Sequence, residues 1–384
     1  MQQVTLFQAP TKLIYGPGTV ERIGPEIGAL AIRKVLVCTD KGVAAAGILE
    51  RVLESLKASE IDCVVFDEVE ANPSIASAER ALGVLKREGC QATVGIGGGS
   101  SMDTAKAVSL WAQNPGRLQD YEGADKAKNP CLPNFAIPTT AGTGSEVSAG
   151  LVVTDTERKY KLSIRSSSNL PRVGILDPSL MSNLPAHIAA ACGMDALTHA
   201  IEAYISTHAS PITDGIALGS IRLVGENLRQ FVARRSNVEA AGNMLWASTM
   251  GAMAFVWARL GIAHAMAHPL GGHFNIAHGL ANAIVLPHVM RYNLIANPQK
   301  FAVIASALGE HIDGLKPLDA AERSVLAVER LMQDIGITQR LSDLGVTEES
   351  IPTLSEDAMK TGMAPTSPRT IDAAGIAALY RQAL

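Results

Sequence analysis

ATVGIGGGSSMDTAKAVSLWAQ, residues 92–113, decides how the first half of the chain folds. Ala92–Ile96 is a short run rich in β-branched residues and reads as a strand, whereas Ser101–Gln113 places its apolar residues at helical spacing. Between them Gly97-Gly98-Gly99-Ser100 supplies a turn with no Cβ to obstruct it. The same unit recurs upstream. Lys34–Asp40, KVLVCTD, is a strand and Gly42–Ala58 an amphipathic helix; Ile61–Phe66 is a second strand and Ser74–Glu88 a second helix. Asn134–Ile137 adds a further strand. Strands alternating with helices imply a parallel sheet covered on both faces, as in Rossmann-like domains, with ligands bound beyond the carboxyl ends of the strands. Val152–Arg165 reads as a hairpin turning at Thr154–Arg158. The α/β part is expected to span residues 1–184.

Three features stand at strand ends. The glycine turn at residues 97–100 lets backbone approach a phosphate, with the N–H groups of the helix start facing its charge; equally it is a tight strand-to-helix turn. It lacks the third glycine of the common dinucleotide fingerprint, since position 102 is Met102, and no Gly-Lys-Ser/Thr follows. Asp40 either accepts ribose hydroxyls or caps the next helix. Pro138-Thr139-Thr140-Ala141-Gly142-Thr143-Gly144-Ser145-Glu146 is either a phosphate cradle or a polar turn with helix caps.

From about Pro185 the strand signals stop, and residues 185–384 read as an all-helical domain. Helices are expected at Ala186–Ser206, Pro211–Ala233, Val238–Arg259, Ala281–Ala296, Pro298–Leu308, Asp319–Asp334 and Asp372–Leu384. The stretch Gly261–Asn293 holds His264, His268, His273, His278 and His288, five of nine histidines. Any one of them taken alone is more simply a hydrogen-bonded core residue. Together with Gly193-Met194-Asp195-Ala196-Leu197-Thr198-His199 they suggest more. Asp195 and His199 fall one helical turn apart on a single face, and a carboxylate turned into an apolar helix bundle needs a partner. One aspartate and three imidazoles from two segments would bind a metal ion and leave a position for a substrate oxygen.

The totals narrow the field. A net charge of -4 and a sequence pI near 6.2 give no electrostatic reason for a nucleic acid or anionic membrane partner. Five cysteines without a CxxC pair suit a reducing cytoplasm. The start Met1-Gln2-Gln3-Val4 shows no basic segment followed by an apolar one, so no signal peptide is expected. The apolar tract Ala252–Leu270 is interrupted by Arg259, His264 and His268 and reads as a buried helix, not a membrane span.

Four blocks in order resemble the iron-containing (group III) alcohol dehydrogenase family: Gly97–Asp103, Pro138–Glu146, Gly193–Glu202 and His264–His288. The resemblance covers essentially the whole chain and implies an NAD-binding α/β domain followed by an all-helical domain, a dehydroquinate synthase-like fold. It implies a divalent metal, Fe²⁺ by family and Zn²⁺, Co²⁺ or Ni²⁺ by donor chemistry, on Asp195, His199, His264 and His278. It further implies NAD along Asp40, Gly97, Gly98, Gly99, Ser100, Asp103, Thr139, Thr140, Thr143, Ser145, Lys161 and Leu180. His268 is expected beside the substrate as a proton path, and Gly150, Leu151 and Phe255 as its pocket. His273 and His288 are left as structural. The activity implied is oxidation of a short alcohol or diol to its aldehyde, or the reverse, with a hydroxy acid such as 4-hydroxybutyrate as an alternative substrate. A cyclase of the same fold is disfavoured by the Asp195-x-x-x-His199 spacing, and a non-redox metalloprotein is the third reading. The resemblance also implies a homodimer or higher oligomer, with a strand near Val4–Phe7 pairing across the interface.

Overall fold

The computed structural model describes residues 7–158 and 160–384. In chain order its strands are β1 (Lys12–Tyr15), β2 (Lys34–Cys38), β3 (Asp62–Phe66), β4 (Ala92–Gly97), β5 (Gly123–Ala124), β6 (Asn134–Pro138), β7 (Gly150–Asp155), β8 (Tyr160–Arg165) and β9 (Val173–Leu176). Helices α1 (Ile23–Gly28), α2 (Lys41–Ala45), α3 (Ile48–Ala58), α4 (Ile75–Glu88) and α5 (Gly99–Gln113) accompany them. These elements belong to one unit, residues 9–140 and 144–184. The other comprises Phe7, Gln8, Ala141–Thr143 and Pro185–Leu384.

In the α/β unit six strands form a parallel sheet in the order β1-β9-β6-β4-β2-β3. The side-chain period of two assigns its faces. Val35, Val37, Val94 and Ile96 pack with Ile23, Ile27, Val52 and Leu56. Leu36 and Cys38 pack on the opposite side with Leu82, Leu85, Ala105 and Val108. Both faces are therefore buried, which is why these strands read as nearly continuous apolar runs. The hairpin of β7 and β8, with β5 beside β8, makes a small second sheet. Leu151, expected as a substrate wall, is instead 1% exposed. It sits in a cluster with Leu110, Val153, Leu162 and Ile164, because alternation along β7 turns it inward.

The helical unit is built from α6 (Ala186–Ile205), α7 (Pro211–Ala233), α8 (Val238–Ala258), α9 (Ile262–Phe274), α10 (His278–Asn293), α11 (Pro298–Ala307), α12 (Pro317–Asp334), α13 (Ile351–Lys360) and α14 (Ala373–Ala383). From Gly193 to Ile205 every residue of α6 is buried. One expected helix is divided, and the helix expected at Val238–Arg259 ends at Ala258, which breaks the apolar tract. Gly42–Ala58 is split where Gly47 takes φ +72°, outside helical geometry. The tract Ala252–Leu270 breaks where Arg259 takes φ +67°, and α8 and α9 meet there at 105°. Among the described residues no single helix is long and apolar enough to cross a membrane. The expected strand near Val4–Phe7 lies, Phe7 apart, outside the described residues.

Placement of Leu151 in the core has a direct test. Leu151→Ala should cost about 2–5 kcal/mol in urea unfolding, the usual range for emptying a core leucine site, with the Michaelis constants of the folded variant unchanged.

Candidate metal and dinucleotide centres

In the parallel sheet β3 and β4 flank β2 on opposite sides, so the chain direction across the sheet reverses between β2 and β4. Crevices at such reversals are where α/β sheets bind ligands. The two loops that leave this point carry Asp40, after β2, and Gly97-Gly98-Gly99, after β4. Thr39 Oγ1 ties them, donating to Ile96 O at 2.9 Å. Gly97 adopts φ +144°, and a Cβ there would lie 2.5 Å from Ser101 Oγ. The turn thus requires glycine. Asp40 Oδ1 accepts from Gly42 N and Val43 N at 2.8 and 3.0 Å, so this oxygen caps α2. The other oxygen faces the glycine turn, 3.4 Å from where a Gly97 Cβ would stand. The two readings of Asp40 are therefore compatible.

The remaining expected cofactor residues divide. Thr139 N donates to Gly97 O at 2.9 Å, which joins the Thr-rich loop to the glycine turn. Thr140 Oγ1 is 3.4 Å from the position of a Gly98 Cβ. Ser100 Oγ donates to Ala71 O at 2.6 Å, and Lys161 Nζ to Asn72 Oδ1 at 3.2 Å. Thr143 belongs with the helical unit. Leu180 is 4% exposed and packs in the core with Val20, Ile23 and Ile175, so its side chain serves the hydrophobic cluster.

Asp103 and Ser145 are part of a buried polar group whose centre, Lys106, sequence reasoning missed. Lys106 is 1% exposed; its Nζ donates to Ser145 Oγ at 2.6 Å and to Gly150 O at 3.1 Å, and stands 3.9 Å from Asp103 Oδ1. Ser145 Oγ donates in turn to Asp103 Oδ1 at 2.7 Å, and Val152 N to Asp103 Oδ2 at 2.9 Å. One cation thereby fastens α5, the Thr-rich loop and the start of β7. Burial pushes the Lys106 ammonium down to about 8, against the opposing pull of Asp103 and Glu146.

In the helical unit, Asp195, His199 and His264 offer ligand atoms that all lie within 4.8 Å of one another, and all three residues are buried. Asp195 and His199 share a face of α6, His264 stands in the first turn of α9, and His278 is the first residue of α10. His264 Nε2 is 3.9 Å and His278 Nε2 3.7 Å from Asp195 Oδ1. Gly279 makes this approach possible, since a Cβ there would lie 2.3 Å from Ala191 O of α6. Burial holds His199 down at about 4, with Asp195 pulling the other way, so its imidazole is neutral at ordinary pH. Its Nδ1 faces Gly142 O at 3.3 Å, which leaves Nε2 for a ligand.

Glu202 lies one further turn along α6, a position that the sequence motif contains but whose spacing alone assigns no role. Its carboxylate is 3% exposed and accepts from Gly261 N at 2.9 Å, Ala263 N at 2.6 Å and His264 Nδ1 at 2.7 Å. It caps α9 and fixes the His264 tautomer with Nε2 toward Asp195. A carboxylate and three imidazoles, one of them oriented by a second carboxylate, fit a divalent ion of the borderline class. Phe255 lies against His199, ring centroids 4.5 Å apart, and His268 meets His278 edge-on at 5.5 Å. His273 pairs at 2.8 Å with Asp357, and His288 lies among Arg291, Glu329 and Gln382, away from this cluster.

A parallel sheet with a glycine turn at its reversal point, and a buried aspartate–histidine cluster in a helical unit, define a nucleotide-linked metalloenzyme class. Residues 10–178 match the iron-containing alcohol dehydrogenase family, and residues 189–384 match the C-terminal region of the Fe-containing alcohol dehydrogenase family. The chain is 48% identical to the 1,3-propanediol dehydrogenase of Klebsiella pneumoniae, over 98% of each chain. It is 38% identical to the NAD-dependent methanol dehydrogenase of Bacillus methanolicus, over 99% of this chain and 100% of that one. A solved 1,3-propanediol oxidoreductase superimposes with a TM-score of 0.97 at 46% identity, each chain fully covered. The chain belongs to the iron-containing alcohol dehydrogenase family.

Two outcomes are expected. Glu202→Gln, which turns an amide N–H₂ toward backbone donors, should weaken divalent-metal affinity about 10–100-fold in chelator competition. For Lys106, the unfolded chain holds the proton more tightly than the folded one between pH 8 and 10.5. Burying this charge therefore costs stability below pH 8, and the cost is relieved as pH rises through that window. The stability of the wild type relative to Lys106→Met should rise from pH 8 toward 10.5, by on the order of 3 kcal/mol in urea unfolding. A flat difference would place the charge elsewhere.

Proposed function

We propose that this alcohol dehydrogenase interconverts a short primary alcohol or diol with its aldehyde, using NAD held at the reversal of the parallel sheet and Fe²⁺ on Asp195, His199, His264 and His278. The convergence of Asp195, His199 and His264 at buried depth carries the reading. When bound, the divalent ion supplies Lewis acidity toward an alcohol oxygen and NAD supplies the hydride acceptor. The chain's own residues do the rest. Glu202 keeps His264 in one tautomer, Gly142 O aligns His199, and Phe255 shields the His199 ring from water. His268, beside His278, is the assigned path for the alcohol proton. Asp40 favours NAD over NADP, since a 2′-phosphate would meet a carboxylate.

Donor affinity ranks zinc above iron, so the resident ion follows supply and geometry as well as affinity. The relatives named above act on propanediol and methanol by their names, and a diol is the substrate class favoured here. Gly150, partly exposed at the start of β7, offers no side chain to narrow the pocket we assign there. We further assign a homodimer or higher homo-oligomer and a cytoplasmic setting, the latter on five free cysteines.

Absorbance at 340 nm should grow when NAD and 1,3-propanediol are added to protein loaded anaerobically with Fe²⁺, and should stop growing after chelation. Silence across a C2–C4 alcohol panel would reject the reading. His268→Ala should lower turnover about 10²-fold or more and alter its pH profile. Gly150→Asn should shift the preference among short alcohols and diols.

A further inference from the structure

Asn282, one turn after His278 on α10, is fully buried. Its Nδ2 lies 2.8 Å from Asp195 Oδ1, 3.1 Å from His264 Nε2 and 3.2 Å from His278 Nε2. Three ligand-type atoms thus crowd one amide nitrogen, which carries only two hydrogens. At the other end, Oδ1 is buried with no hydrogen-bond partner among the described residues. A buried carbonyl in that state is rare, because the water it gave up has not been replaced. A half-turn of the carboxamide would relieve the crowded nitrogen and bring the unpaired oxygen to where a cation could satisfy it. The oxygen and nitrogen of a carboxamide have nearly the same shape, so a half-turn about Cβ–Cγ exchanges them without moving the helix.

We propose that Asn282 is a two-position element of the metal centre, turning N–H toward Asp195 and the imidazoles in the ion-free protein and Oδ1 toward the divalent ion in the loaded protein. The inference rests on the metal-centre reading above. With nitrogen inward, Asn282 donates to Asp195 and to one of the two imidazoles, which keeps the ligand atoms gathered before loading. With oxygen inward, it removes an N–H dipole that a cation would repel and offers a hard donor in its place. That donor favours ions that accept oxygen and more than four ligands, such as iron, over tetrahedral zinc. Asn282 would then narrow the advantage that zinc holds from intrinsic affinity.

Co²⁺ is the probe, because its d–d absorption reports both occupancy and coordination number. Asn282→Leu keeps the branched shape, though with bulkier methyl ends, and removes both polar atoms; Asn282→Asp keeps the oxygen and removes the donor. The Leu variant should bind Co²⁺ about 10–100-fold more weakly than wild type, and its band should strengthen toward a four-coordinate spectrum. The Asp variant should bind at least as tightly as wild type, melt lower without metal, and gain more in melting temperature on loading. Wild-type affinity and spectrum in the Leu variant would overturn the proposal. So would equal weakening in both variants, which would leave Asn282 as a hydrogen-bond donor only. Should the Leu variant fail to fold, a smaller metal-induced melting shift in the Asp variant than in wild type overturns it. If wild-type protein takes up no Co²⁺, the metal-centre reading itself fails.

Discussion

Two carboxylates buried in a helix bundle are the constraint on which the helical unit depends. Asp195 and Glu202 are 2% and 3% exposed on one face of α6. An unpaired buried charge costs several kcal/mol, so each must be compensated. Glu202 is compensated within the protein by two backbone N–H groups and an imidazole. Asp195 receives a single amide donor from Asn282 and otherwise faces the imidazoles of His264 and His278. The asymmetry separates their tasks: one carboxylate is satisfied and orients, while the other is left able to bind a cation.

The α/β unit solves a different problem with the same economy. Its parallel strands bury both faces, so polar groups gather at the carboxyl ends, where backbone from neighbouring loops meets. Thr39 and the φ +144° of Gly97 bring the β2 and β4 loops together. Lys106 then locks α5 to the hairpin through Ser145, Asp103 and Gly150 O. A lysine is an expensive bolt in a core. It is also a long and three-fold donor, which lets one side chain serve three segments.

Much of this was legible in the sequence because periodicity records burial. Val35 and Val37 against Leu36 and Cys38 announce a two-faced sheet, and the Asp195–His199 spacing announces one helix face. What escaped was set by tertiary contact. Nothing local in SMDTAKAV marks Lys106 as buried, because helical lysines are ordinarily solvated. Leu151 looked available to a substrate, but the β7 alternation turned it into the core. Leu180, in the turn after β9, also packs into the core. The end of α8 at Arg259 was legible, but the start of α9 three residues on was not, because a left-handed arginine leaves no compositional trace.

That division has an electrostatic meaning. By ending α8 and starting α9 at Ile262, it sets the N-terminal end of α9 beside His264, as α10 sets its own beside His278. Helix N-termini carry roughly half a positive charge each, the wrong sign for holding a cation. Glu202 offsets this at α9, where its oxygens accept the first backbone N–H groups. Asp195 supplies negative charge against the first turn of α10, where Gly279 brings the backbone close to α6. Two carboxylates thus face two helix ends, and their summed formal charge would balance that of a divalent ion. The start of α9 fixes an imidazole because Glu202, which accepts its first N–H groups, also accepts from His264 Nδ1. It becomes compatible with a cation when the neighbouring helix brings the opposing charge, and α6 brings it twice, seven residues apart on one face.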